Sequence, residues 1–287
     1  PIRVAVRIRP QSRKGESKAC LYRAPSETPG EAVVVDSKMV RFERVFGPKS
    51  SQQDVYFGCG VGLVDSLFQG YNACLFAYGQ TGSGKTHSML GPDGGNKSNK
   101  TLNGLIPQIT SEIFRRIFAQ KVDADRLLGA NMSSFELRAS YIEVYNGLTY
   151  DLLSREQKRK PLQLRQEQSS NTSAISASIP HVHAPDAITI RVDTLKQLMS
   201  IIRRGSQNRQ TQKTGMNLHS SRSHAILTLT LEHRWRMTNA SPSKTTSEKA
   251  KQVEAEKSEN QDDYTVVSRL SRLLMCDLAG SESYDHR

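Results

Sequence analysis

The sequence predicts an α/β chain of the P-loop type, built on a central, mostly parallel β-sheet flanked by helices on both faces. Three observations predict it. Short apolar runs alternate with amphipathic segments along the whole chain, the pattern of repeated strand–helix units. Residues 73–78 form a continuous apolar run, the look of a strand buried on both faces. A glycine-rich turn ending in Lys85-Thr86 follows that run at once, where folds of this class gather anions.

The elements follow in order. Ile2, Val4, Val6 and Ile8 alternate with Arg3, Ala5 and Arg7, which reads as an opening strand. Residues 11–31 are rich in Ser, Pro and Glu and read as loop, before a short strand from Ala32 to Val35. Ser51 with Asp54 three residues on starts a helix whose apolar face is Tyr56, Gly60, Leu63, Val64, Leu67 and Phe68. A short helix is expected over Thr86–Leu90, then a Gly-, Asn- and Lys-rich loop over 91–103. Pro107 sits in the first turn of a helix presenting Ile109, Ile113, Phe114 and Ile117. Leu137–Tyr145 is a strand, 155–160 a basic turn, and 166–178 a Ser- and Asn-rich loop. Leu195, Leu198, Met199 and Ile202 mark a further helix, and Ala225–Leu231 alternates as a strand. Residues 237–263 are polar, with Lys and Glu interleaved, and read as a solvated insertion. Leu273–Asp277 is the last strand.

Composition bounds the function. A chain of 287 residues buries a core without disulfide staples, and 36% hydrophobic content leaves room for solvated loop. Cys20, Cys59, Cys74 and Cys276 show no CxxC spacing, which excludes a disulfide framework or a zinc finger. Cys276 lies in an apolar run and reads as a buried, inert thiol. His181 and His183 share a strand face but have no nearby Cys or carboxylate, so they read as a surface pair. No run approaches the roughly 18 apolar residues of a membrane span, and the start of the chain is not a signal peptide. The formal charge of +12 is spread along the sequence. It serves solubility, or a face that meets an acidic polymer, and charge does not choose which polymer.

Gly79-Gln80-Thr81-Gly82-Ser83-Gly84-Lys85-Thr86 fits the phosphate-loop pattern in its required context, after a strand and before a helix. The glycines let backbone N–H groups turn around phosphate oxygens. Lys85 reaches the β- and γ-phosphates, and Thr86 is a ligand for Mg²⁺. Asp277-Leu-Ala-Gly280 ends an apolar strand, which suits a carboxylate holding Mg²⁺ through water and an amide at the γ-phosphate. Asn217-Leu-His-Ser220-Ser221-Arg222-Ser223-His224 precedes a strand. Its serines offer hydroxyls for the metal and an attacking water, and Arg222 a fixed cation; a polar strand-capping loop is the plainer reading. Neither Asn96-Lys97 nor Asn99-Lys100 is followed by the Asp of a guanine reader, which favours ATP over GTP.

These three strings, with Arg7-Ile-Arg9-Pro10 and Tyr141–Asn146 followed by Asp151-Leu-Leu, resemble the kinesin motor domain in order and rough spacing. The resemblance runs from residue 1 to residue 282. It implies an adenine shelf of Arg7, Arg9, Pro10 and His87. It implies phosphate and Mg²⁺ contacts from Gln80, Ser83, Lys85 and Thr86. Asn217, Ser220 and Ser221 would be switch I, with Ser221 at the metal. Asp277, Gly280 and Glu282 would be switch II, and Arg222 would pair with Glu282 when ATP is bound.

The implied function is an ATP-hydrolysing motor core, a Mg-dependent ATPase that binds microtubules in the cytoplasmic cytoskeleton, without nucleic acid or membrane insertion. The cargo is not implied. The whole chain, 1–287, reads as one motor domain that stops just after switch II, with 237–263 inserted in it. The family pattern continues beyond this point with elements that carry most of its microtubule-binding surface. The rival reading is therefore a kinesin-like module that holds nucleotide or microtubules without productive hydrolysis. A P-loop ATPase of another family is a third reading, marked by a different sheet order.

Overall fold

A computed structural model describes residues 2–10, 21–23, 31–35, 38–92, 103–128, 133–156, 160–167, 181–211, 222–238 and 264–282. Its elements begin with β1 (Ala5–Arg7), β2 (Leu21–Arg23), β3 (Glu31–Val35), β4 (Lys38–Phe42) and β5 (Arg44–Phe46). Two helices follow, α1 (Gln52–Cys59) and α2 (Val61–Phe68). Then come β6 (Ala73–Ala77), α3 (Lys85–Leu90), α4 (Leu105–Leu128), β7 (Ser133–Tyr145) and β8 (Leu148–Asp151). The short strands are β9 (Pro161–Leu162), β10 (Arg165–Glu167), β11 (His181–His183) and β12 (Ile190–Arg191). The last elements are α5 (Leu195–Thr211), β13 (Ser223–Thr238) and β14 (Tyr264–Asp277).

The helix expected from Ser51 is two helices. Ser51 caps the first through a complete capping box with Asp54. Gly60 ends α1 and opens α2. A Cβ at Gly60 would stand 2.5 Å from the Tyr56 ring, so the close turn needs glycine there. The Pro107 and Leu195 helices appear as expected, and the last two strands run longer than their apolar patterns. Of the insertion, only residues 237 and 238 are described, as the end of β13.

The central sheet has seven strands in the order β6-β14-β13-β7-β8-β9, with β12 also on β7. It is mixed, not mostly parallel. Among these neighbours only β14 and β6 run parallel, and every other pair is antiparallel. Two connections explain this. Asn146 and Gly147 have φ of 50° and 74°. Positive φ at both centres of a two-residue loop makes a hairpin turn, so β7 and β8 must be antiparallel. β13 and β14 succeed one another and pair from Ala225↔Asp277 to Thr238↔Tyr264, as the arms of one long hairpin.

Strand alternation divides the sheet. Odd-numbered residues of β7, β13 and β14, among them Leu137, Ala139, Tyr141, Leu227, Leu229, Leu273 and Met275, join one buried cluster. Val55, Leu67, Met89, Ile109 and Leu198, from α1 to α5 in turn, complete it. All five described helices therefore lie on one face, so the helix layer expected on both faces is present on one among the described residues. The opposite face carries Cys74, Phe76 and Leu270, all exposed. Among the described residues β6 therefore ends the sheet and is covered on one face, not on both. A smaller cluster of Ile8, Val33 and Val45 holds β1, β3 and β5 together.

Candidate nucleotide-binding site

Gly79–Thr86 joins the end of β6 to α3. Gly82 and Gly84 adopt φ of 77° and 99°, a left-handed backbone that suits glycine and lets successive N–H groups surround an anion. The Lys85 Nζ donates to the carbonyls of Gly79 at 2.8 Å and Gln80 at 2.9 Å, folding the ammonium back along the loop. The Ser83 amide donates to Gln80 O at 3.2 Å, closing the turn.

Below the loop lies a buried polar knot. The Thr86 hydroxyl donates to Asp277 Oδ2 at 2.7 Å. Arg209 Nη1 meets the same oxygen at 2.5 Å. Arg209 Nη2 also donates to Ser223 O at 2.8 Å, and its Nε to Ser223 Oγ at 3.3 Å. Arg209 and Asp277 are 4% and 3% exposed, so each charge has lost its water and depends on the other. Asp277 Oδ1 is buried without a hydrogen-bond partner. A hydroxyl beside a carboxylate with one unused oxygen is the hard-oxygen donor set that Mg²⁺ prefers, so Thr86 and Asp277 fit that ion.

One flank of the loop is tied by hydrogen bonds to residues of β1 and α1. Arg7 Nη1 donates to Gln52 Oε1 at 2.8 Å and Ser88 Oγ at 2.9 Å. Gln52 in turn donates to His87 O at 2.7 Å and accepts at its own carbonyl from Gln108 at 3.1 Å. Arg9 Nη1 donates to Gly82 O at 3.1 Å. Arg7, Arg9 and His87 therefore converge on one flank of the loop, and Pro10 follows Arg9, exposed. Burial holds the Arg7 pKa below its ordinary value. Burial first, and the Arg7 charge second, lower that of His87 and favour a neutral ring suited to stacking.

The segment after β14 is stitched over the other flank. Ser281 N donates to Gly79 O at 3.1 Å, and Ala279 N to His224 Nδ1 at 3.1 Å. The Glu282 carboxylate accepts from the Thr81 amide at 2.8 Å and from the Thr81 hydroxyl. A Cβ at Gly280 would stand 2.4 Å from that carboxylate, so a side chain there would displace the Glu282–Thr81 contact. Arg222 lies exposed just before β13. Asn217, Ser220 and Ser221 fall outside the described residues.

Sequence reasoning missed Arg209 and Gln52. Arg209 carried a signal, since it continues the buried stripe of α5 (Leu198, Ile202, Ser206), where a cation needs a buried partner. Gln52 carried none, because a glutamine in a first helical turn is ordinary.

The family described as kinesin motor domain matches residues 7–287. Kinesin-like protein KIF27 of Mus musculus is 35% identical over 289 residues, covering 98% of this chain and 18% of that protein. Chromosome-associated kinesin KIF4A of Homo sapiens is 34% identical over 236 residues, covering 82% of this chain and 18% of its own length. The chain thus spans about a fifth of the curated relatives it matches. A solved structure of a fast kinesin superposes with a TM-score of 0.72 at 26% identity, over 99% of this chain and 67% of that one. By family match, sequence identity and fold alike, the chain belongs to the kinesin motor-domain family.

Proposed function

We propose that this chain is the ATP-hydrolysing core of a microtubule motor, acting with Mg²⁺ in the cytoplasmic cytoskeleton. One observation carries the reading: the exposed Thr86 hydroxyl of the phosphate loop donates a hydrogen bond to the buried Asp277 of the last strand, with one carboxylate oxygen left unused. In this reading Lys85 and the loop amides hold the β- and γ-phosphates, and the Gly280 amide meets the γ-phosphate. Arg7, Arg9, Pro10 and His87 stack on the base. Thr86, Ser221 and Asp277, the last through water, hold Mg²⁺, which supplies charge neutralisation at the transferring phosphoryl group. Ser220, Ser221, Arg222 and Glu282 position the attacking water, with Asn217 beside the phosphates. The family motifs and the net charge of +12 support an acidic filament as partner.

The test is phosphate release from Mg-ATP with and without microtubules. Stimulation is expected, and Lys85→Ala is expected to lower turnover by about 10²–10³-fold, the usual cost of losing one charge-stabilising donor. Nucleotide binding with no turnover would instead favour the non-productive module.

A further inference from the structure

Gln52, the first residue of α1, is 5% exposed and makes hydrogen bonds at three of its polar groups. Its Oε1 accepts from Arg7 Nη1 of β1 at 2.8 Å. Its Nε2 donates to the carbonyl of His87 in α3 at 2.7 Å. Its own carbonyl accepts from Gln108 Nε2 of α4 at 3.1 Å, and the same Nε2 donates to Asn103 O at 2.8 Å. One side chain thus joins residues of β1 and α3 that stand 45 and 35 positions away in the chain. Its backbone is fixed in turn by the Ser51–Asp54 capping box on one side and by Gln108 on the other.

The chemistry of the two partners leaves little choice of residue. A guanidinium only donates and a peptide carbonyl only accepts, so the amide fits between them in one orientation. A carboxylate of the same length lacks the donor, and an apolar chain of the same length lacks both groups. Both bonds from Arg7, to Gln52 and to Ser88 Oγ, are made by Nη1 at one end of the guanidinium. Its flat faces are left for stacking.

We propose that Gln52 is a positioning residue that sets base selectivity: it locks Arg7 and His87 at a fixed spacing, so that the pair stacks a purine better than a pyrimidine. Gln52 takes this role only if Arg7 and His87 meet a base, so it rests on the nucleotide reading above. A purine offers the larger π-face, and stacking strength follows that face. Gln52 itself touches neither the phosphates nor the reacting atoms in this arrangement. Its loss therefore weakens binding in the ground state and the transition state alike, which raises KM and leaves kcat in place.

The test is calorimetric binding of Mg-ADP and of Mg-UDP to the full chain, which needs no turnover, together with kcat for Mg-ATP. The parent chain is expected to bind Mg-ADP more tightly than Mg-UDP. Gln52→Met keeps the length of the side chain and removes both bonds. It is expected to weaken Mg-ADP about tenfold, the effect of one charge-assisted hydrogen bond. Mg-UDP is expected to weaken by about twofold at most, and kcat to stay within about twofold. Gln52→Glu keeps the acceptor for Arg7 and loses the donor to His87, so its preference for Mg-ADP is expected between those of the parent and Gln52→Met. It keeps a polar group in the buried position and carries the same test should Gln52→Met not fold. Equal weakening of Mg-ADP and Mg-UDP would assign Gln52 a purely structural role and overturn the proposal. A parent chain that prefers Mg-ADP, with variants that keep the same preference, overturns the role of Gln52 and leaves the nucleotide reading standing. A parent chain that binds neither nucleotide overturns both.

Discussion

The two faces of the central sheet are made by the same strands and behave as different materials. On the helix-covered face, Leu227, Leu229 and Leu273 are fully buried among residues of all five helices. On the other face of the same sheet, Leu270 of β14 and Phe76 of β6 stand 49% and 57% exposed. The covered face also holds the Arg209–Asp277 pair, so the buried charges of the nucleotide site are embedded in the part of the molecule with the most apolar contact. The low-dielectric surroundings that strengthen that pair come from the same packing that stabilises the fold. The difference teaches that the apolar core and the buried Arg209–Asp277 pair share one face, while the other carries exposed apolar side chains.

The comparison breaks most severely if the buried pair is cut. Arg209→Ala leaves Asp277 buried and uncompensated and is expected to cost about 3–5 kcal/mol, read as a shift in the denaturant midpoint. The next effect sharpens the contrast between faces. Leu229→Ala, at 0% exposure, should cost about 2–5 kcal/mol. Leu270→Ala, on the open face of the paired strand, should stay within about 0.5 kcal/mol. Equal costs would mean that the two faces are packed alike.

The smallest effect probes the far end of the covered face. His233 stacks on Phe135 with ring centroids 4.1 Å apart, and Ser133 Oγ lies 2.9 Å from its Nε2. Burial first, and the Arg269 charge second, hold its pKa at about 4, below the ordinary 6.5. The unfolded chain binds this proton more readily than the folded one. The stabilisation is therefore fully present above about pH 6.5 and is lost as pH falls towards about 4. Melting temperature should decline across that window, and His233→Gln should flatten part of the decline.

The nucleotide loop was legible because its chemistry is local: eight consecutive residues specify turn, dipole and cation together. The Ser51 cap and the Pro107 helix were legible for the same reason. What was lost depends on the third dimension. Arg209 and Asp277 are separated by 68 residues, and no periodicity announces their contact. The parallel expectation took strand–helix alternation as decisive and passed over Asn146-Gly147, a hairpin signal present in plain sequence. The apolar run at Cys74–Phe76 suggested burial on both sides. Hydrophobicity alone does not distinguish a covered strand from an edge strand with apolar residues in the open.

The long pairing of β13 with β14 has a consequence for how this chain tolerates change. The ladder starts beside Asp277 and ends at Thr238↔Tyr264. Thirteen residue steps at about 3.4 Å put its far end about 44 Å from the acid. The polar segment between residues 238 and 264 leaves and rejoins the fold at that remote tip. Both of its anchor points are therefore remote from Asp277. Lengthening it adds only a slowly growing closure entropy, about 0.6 kcal/mol for each doubling. A reporter peptide spliced into that segment would be anchored about 44 Å from the space where ATP is proposed to bind.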